Sequence, residues 1–315
     1  MQAVLVNPGQ RKPGVIRRTA HRPKGTTAVR RSTHHRVETN RSRPQVKSRG
    51  NPVSRSARTE TTAVLDRPLL LPLGRRPGDI STVVFHPLGG GLLPYLGLVA
   101  HLSRHGPVYG IRALGLEEGE EPDTRIPDMA DRYAEAVAAL PVHPDMFVGW
   151  SLGGLLAFET ARRLPGGHSP DLVLVDSSPA PLGKEPEVYG AIRRQVLSEA
   201  AAHMGADALA RTERTVDAHL GARTRYRAEG RHPGRTLLIT CTGSDDPQQA
   251  LRWSPHLADV SVRSLDTDHF GVLRAPHLRQ LSAHIKEFIG TRSNCRIRRH
   301  ALGAEQCRAV TAPVR

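Results

Sequence analysis

An α/β protein built on a mostly parallel sheet is the fold class this sequence predicts, and three observations carry the prediction. Between Ala63 and Gly290, short apolar runs alternate with helix-length segments of 3.6-residue periodicity. In the middle of that alternation sits Gly149-Trp150-Ser151-Leu152-Gly153, a G-x-S-x-G signature at a strand-to-helix junction. The chain has 315 residues, 38% hydrophobic and 24% charged, which suffices for one or two domains with a sizeable core.

The elements follow in order. Leu69–Leu73 and Ile80–Phe85 read as strands joined by a turn at Arg76-Pro77-Gly78-Asp79. Pro94–His105 reads as a helix stopped by Gly106-Pro107, and Val108–Ile111 as a short strand. Pro127–Leu140 is helical, with Met129, Tyr133, Val137 and Leu140 on one face. Asp145–Gly149 and Asp171–Val175 are strands separated by a helix over Leu152–Leu164. Pro181–Pro233 breaks the alternation and carries candidate helices at Ala191–His203 and Ala206–Arg227. An insertion of this length at the strand ends is expected to be a lid that shapes a substrate site. Strands at Thr236–Cys241 and Val260–Ser264 and a helix at Pro276–Ile289 complete the domain.

Composition excludes several classes. The longest apolar runs, such as Pro68–Leu73, fall far short of the roughly 18 to 20 residues that span a bilayer. Cys241, Cys295 and Cys307 are too few for a disulfide scaffold and lack zinc spacing, so no metal is expected and a reducing cytoplasmic setting is the default. The net charge of +15 belongs to the flanks. Residues 1–60 hold 15 Lys and Arg against 2 acidic residues, and residues 291–315 hold 6 against 1. What remains between them is 24 against 27, ordinary for an enzyme domain. Both flanks are read as basic tails, and residues 1–60 are expected to be disordered. A frame error or misplaced start codon in a high-GC gene would produce the same composition. Basic tails could hold nucleic acid through phosphates, but aromatics at 4% leave little stacking surface, and nucleic acid is not expected as a partner.

The strand Met146-Phe147-Val148 runs into the signature and a helix runs out of it, the context a nucleophilic serine requires. Small residues two before and two after Ser151 let strand and helix approach, and Ser151 comes to lie at a helix N-terminus. A serine hydroxyl needs a base oriented by an acid, in the chain order Ser, Asp or Glu, His. His269, in Asp268-His269-Phe270-Gly271 between the last strand and last helix, is the candidate base. Two acids fit: Asp176, ending the strand Leu172–Val175, and Asp245, after the strand Thr236–Cys241. The oxyanion donors are expected to be the backbone N–H groups of Leu152 and of Leu88, the latter in the loop His86-Pro87-Leu88-Gly89-Gly90-Gly91. His86 is expected to order that loop. The loop lacks the Lys-Ser/Thr and the spacing of a nucleotide cradle.

Together with Pro107-Val108-Tyr109-Gly110-Ile111 and Ala157-Phe158-Glu159, these motifs resemble the thioesterase domains that end nonribosomal peptide synthetases and polyketide synthases, over roughly residues 68–290. The resemblance implies an α/β-hydrolase fold. It implies an acyl or peptidyl chain taken from a carrier protein's phosphopantetheine thiol onto serine, then released by water or by cyclisation, with no bound cofactor. In integral release domains the acid follows the strand after the serine helix, which favours Asp176. In many free-standing editing thioesterases it comes one strand later, which would favour Asp245. The wording of the motifs is closer to the former. Residues 1–60 do not resemble a carrier domain, so the expectation is a carrier acting in trans or a chain that is a detached fragment. Gly166-Gly167-His168-Ser169 mimics a carrier's modification motif but lies in a turn, and is read as coincidence. A carboxylesterase or lipase with the same three residues is the alternative enzyme, and nucleic-acid binding through the tails the alternative outside enzymes.

Overall fold

A computed structural model describes residues 68–183, 186–244 and 246–302, with side chains as far as Arg292. Most of the two basic tails and the alternative acid Asp245 lie outside the described residues.

The domain is built on a seven-stranded sheet in the order β1-β3-β2-β4-β5-β6-β7. Its strands are β1 (Leu70–Gly74), β2 (Thr82–Phe85), β3 (Val108–Ile111), β4 (Met146–Trp150), β5 (Asp171–Val175), β6 (His232–Gly243) and β7 (Leu257–Asp268). Only β1 runs antiparallel, against β3. The central strands read as unbroken apolar runs because both of their faces are covered. On one face Val83, Phe85, Phe147, Leu172 and Leu174 pack under α2 (Ile126–Ala138) and α3 (Leu152–Ala161). On the other, Val84, Val148, Val173 and Ile239 pack under α1 (Leu96–Leu102) and α7 (His277–Leu302). All ten residues of α3 are buried, so this helix is apolar nearly all round.

The boundaries depart from expectation in instructive ways. β6 and β7 are each 12 residues long, against the five or six predicted, because they pair with each other well beyond the sheet body. Apart from buried Leu257, their outer residues are polar or exposed, and a hydrophobic run does not extend to them. The helix predicted over Pro94–His105 divides into a 3₁₀ turn at Leu93–Tyr95 and α1. α7 does not stop at Gly290 but runs to Leu302, beyond the expected domain edge, and Arg292 donates to the Asp145 carbonyl at 2.8 Å. Between β6 and β7 lies a five-residue helix, α6 (Gln249–Trp253), too short to leave a periodic signal.

The segment between β5 and β6 holds α4 (Pro186–Ala201) and α5 (Ala206–Arg225). α5 buries Thr212, Thr215, Val216, His219, Leu220 and Ala222, whereas α4 buries none of its residues. Arg193 on α4 joins the two through Glu213 and, at 2.6 Å, Asp217. At the C-terminal end of α5, half-buried Arg223 donates to the Ala180 carbonyl at 2.9 Å, and the Leu182 N–H donates to the Arg223 carbonyl at 3.0 Å.

Candidate active site

Four parallel strands end on one edge of the sheet, and each delivers a residue there: His86 after β2, Ser151 after β4, Asp176 after β5 and His269 after β7. Ligand sites of open parallel sheets lie at such carboxyl edges.

Ser151 has φ of 58° and ψ of −125°, a strained conformation that turns β4 directly into α3. The turn is this tight because glycines surround it. A Cβ on Gly149 would come within 2.1 Å of the Gly153 backbone, and one on Gly153 within 2.2 Å of the Phe85 carbonyl. Two bonds hold the junction in place. The Ser151 N–H donates to the Val175 carbonyl at 3.0 Å, and the Trp150 N–H donates to the Tyr95 hydroxyl at 2.7 Å. That hydroxyl donates in turn to the Phe85 carbonyl at 2.8 Å, so buried Tyr95 clamps the ends of β2 and β4 together.

The Ser151 Oγ lies 3.0 Å from His269 Nε2, and His269 Nδ1 lies 2.6 Å from Asp176 Oδ2. A carboxylate only accepts, so Nδ1 carries the ring hydrogen and Nε2 is left to accept from the serine hydroxyl. The His269 loop is fixed from both sides. Asp268 Oδ1 accepts from the Gly271 N–H at 2.6 Å, and the Trp150 indole donates to the His269 carbonyl at 3.1 Å. The Trp150 ring lies 5.0 Å from the imidazole, centre to centre.

Asp176 is 3% exposed, and its other oxygen accepts from the Gln249 side-chain amide at 2.6 Å and the Cys241 N–H at 3.3 Å. Burial pushes this carboxyl up, but the hydrogen bonds from His269, Gln249 and Ser244 outweigh it and hold the group below the ordinary aspartate value. Asp246, next to the alternative acid, accepts from the Ser178 hydroxyl at 2.7 Å and the Gln248 N–H at 3.1 Å, the work of a turn and helix-end carboxylate. The structure joins Ser151, His269 and Asp176, three of the candidates from sequence, in one series of hydrogen bonds. Around these it places Tyr95, Gln249 and the Trp150 indole, which sequence reasoning did not single out. No local motif marks them, because each acts on a partner more than fifty residues away.

His86 is buried outside this chain of bonds. Its Nδ1 donates to the Pro87 carbonyl at 2.9 Å, so its Nε2 accepts from the Tyr133 hydroxyl at 2.7 Å. Burial lowers its pKa to about 4 and keeps it neutral. Its ring stacks on His219 of α5 at 5.2 Å. The residues after it form a tight turn, with the Gly90 N–H donating to the Pro87 carbonyl at 3.1 Å and Gly89 at φ of +90°, the third position where a type II turn requires glycine. Leu88 occupies the second position, and Leu152 opens α3. A cavity of about 420 Å³ is lined by Leu88, Ser151 and His269 below and by Ile192, Val196 and Met204 from the α4–α5 segment above. Arg274, after β7, donates to Glu199 of α4 at 2.7 Å across it.

Among the described residues, no cluster of three or more His, Cys, Asp or Glu is set to hold a metal, and no helix is long and apolar enough to cross a membrane.

A parallel sheet with one antiparallel edge, helices on both faces and a strained serine between β4 and α3 is the α/β-hydrolase fold. Within it, the chain belongs to the thioesterase domain family, whose profile matches residues 82–289. It is similar to the nonribosomal peptide synthetase btyA of Aspergillus terreus, 32% identical over 123 residues, covering 32% of this chain and 13% of that protein. Over 115 residues it is 35% identical to a dimodular nonribosomal peptide synthase of Bacillus subtilis, covering 35% of this chain and 5% of that one. The chain therefore spans a small part of the length of these relatives. In structure it is similar to the wild-type Vlm2 thioesterase domain, with a TM-score of 0.56 and 26% identity, over 69% of this chain and 96% of that domain.

Proposed function

We propose that this protein is a serine thioesterase that takes an acyl or peptidyl chain from a carrier protein's phosphopantetheine thiol and releases it in natural-product biosynthesis. The observation that carries the reading is the unbroken series of hydrogen bonds from Ser151 through His269 to Asp176 beneath a cavity, in a chain of the thioesterase family. Ser151 is the nucleophile, His269 the base and Asp176 the acid that orients the imidazole. Asp176 is preferred to Asp245 because its carboxylate meets His269 Nδ1 directly.

In the first half-reaction His269 Nε2 takes the Ser151 proton while Oγ attacks the thioester carbonyl. The Leu88 and Leu152 N–H groups receive the developing oxyanion, at the tight turn and at the helix N-terminus. The tetrahedral centre collapses, the C–S bond breaks, and the imidazolium returns its proton to the thiolate, leaving an acyl-serine. In the second half His269 removes a proton from water, or from a hydroxyl or amine of the chain itself, giving an acid or a cycle. The carrier is proposed to act in trans. The cavity wall contributed by Leu88, Ile192, Val196 and Met204 is apolar, which suits a chain with apolar surface near the carbonyl.

The test is thiol release from an acyl-pantetheine thioester and from an acyl-loaded carrier protein. Ser151→Ala and His269→Ala should each lower turnover by about 10⁵ to 10⁶. Release that persists in Ser151→Ala would sink the mechanism. Equal turnover of the matching oxygen ester would favour a carboxylesterase.

A further inference from the structure

We propose that Gln249 is the positioning residue of the acid: its side-chain amide occupies Asp176 Oδ1, so that the carboxylate stays ionised with Oδ2 aimed at His269. The inference rests on the mechanism proposed above and adds a residue that no motif marks.

Four observations support it. Gln249 is 2% exposed, and its Nε2 lies 2.6 Å from both Asp176 Oδ1 and Ser244 Oγ. A carboxylate accepts only, so the amide must turn its NH₂ group toward it, one hydrogen to Asp176 and one to Ser244. The amide oxygen, Oε1, is buried with no hydrogen-bond partner. A side chain that only filled this space would do better as methionine, of nearly the same shape and without a stranded polar atom. Lastly, Gln249 belongs to α6, which is anchored independently of the site: Trp253, fully buried, donates from its indole to the Ser177 carbonyl at 2.6 Å. The amide is thus presented by a fixed helix to a carboxylate whose own backbone is fixed, with the Asp176 N–H donating to the Ile239 carbonyl at 2.8 Å.

The other titratable groups near Asp176 leave this place to Gln249. His269 comes from the loop after β7 and takes Oδ2. The Cys241 thiol, at the end of β6, also bonds Asp176, but burial pushes it up to about 12 and keeps it neutral. Asp268, at the end of β7, is turned to the Gly271 N–H. Asp246, before α6, is turned to Ser178 and Arg252.

Thioester hydrolysis by the 315-residue chain would be followed from pH 5 to 9 in wild type, Gln249→Met, Gln249→Glu and Ser151→Ala, each with its thermal unfolding midpoint. Gln249→Met should lower kcat about ten- to a hundredfold with KM unchanged and the fold retained. Gln249→Glu should lose kcat at high pH, where two carboxylates face each other. Its ratio to wild type should rise as the pH falls, because the introduced carboxyl, once protonated, donates as the amide does. A Gln249→Met enzyme that folds and keeps wild-type kcat overturns the proposal, as does a Gln249→Glu ratio that stays flat with pH. If Gln249→Met does not fold, the Gln249→Glu ratio decides alone. Full activity in Ser151→Ala would instead overturn the serine mechanism, and this proposal with it.

Discussion

At the scale of single residues, the candidate site is a set of short bonds between groups that lie far apart in the chain. Tyr95 shows the principle. Its hydroxyl accepts from Trp150 N–H and donates to the Phe85 carbonyl, so one buried oxygen satisfies two main-chain groups at strand ends. Burial raises the pKa of this hydroxyl, which stays protonated and able to donate. Tyr95→Phe would leave both backbone groups buried without a partner, at a cost of about 2 to 4 kcal/mol. Urea unfolding should therefore show a clear loss of stability, and acyl release should fall as the serine turn loosens. A change below about 0.5 kcal/mol would mean that water or a rotated neighbour replaces the hydroxyl. Ser151, His269 and Asp176 were legible because each carries a local mark: glycines at a strand–helix junction, a histidine in the last loop, a carboxylate ending an apolar strand. Tyr95 and Gln249 carry none, since a hydrogen bond across 55 or 73 residues of chain leaves no spacing to read.

At the scale of elements, the insertion between β5 and β6 divides into two unlike helices. The sequence marks two candidate helices there, Ala191–His203 and Ala206–Arg227, but does not tell their roles apart, because both are rich in charge and alanine and neither has a strong apolar face. Packing separates them. α5 sets Thr212, Thr215 and Val216 beside the Gly89–Gly90 turn, where α4 contributes Val196, and α5 also stacks His219 on His86. α4 covers the cavity and is tied down at its rim, through Arg193 to α5 and through Glu199 to Arg274. Partly exposed ion pairs of this kind contribute roughly 0 to 1 kcal/mol each. Amide hydrogen exchange should thus be markedly faster along α4 than along α5, and Arg274→Ala should speed exchange in α4 while leaving α5 unchanged. Equal protection of the two helices would mean that they open as one unit. Strand ends and α6 also escaped sequence reading, for a related reason: the outer pairs of β6 and β7 are stabilised by each other's backbone, not by burial of an apolar face.

At the scale of the whole molecule, the folded state excludes protons from several histidines. His86 and His232 are fully buried, and burial lowers each to about 4. His219 is pushed well below its ordinary value by burial and by His86 beside it. Unfolded, each would titrate near 6.5. As the pH falls below that value the unfolded chain binds protons that the folded chain refuses, so stability declines between pH 6.5 and 4; His86 alone accounts for roughly 3 kcal/mol of the loss. Below this window Asp176 and Glu120, both lowered by their bonding partners, add a second decline as they are protonated. The thermal midpoint should fall steadily from pH 6.5 to 4, and a flat profile there would show that the buried histidines find partners on protonation.

The sequence by itself determined the fold class, the order of the strands along the chain and the place of the serine, because these depend on local periodicity, turn residues and sterics around a few glycines. The tertiary structure brought Asp176, the carboxylate that the motifs favoured, to His269, and it alone decided how α5 and α4 share the Gly89–Gly90 turn and which amide faces Asp176. Those choices depend on distances across the sheet, where β5 lies beside both β4 and β6, and on which polar atoms remain buried once the strands have paired.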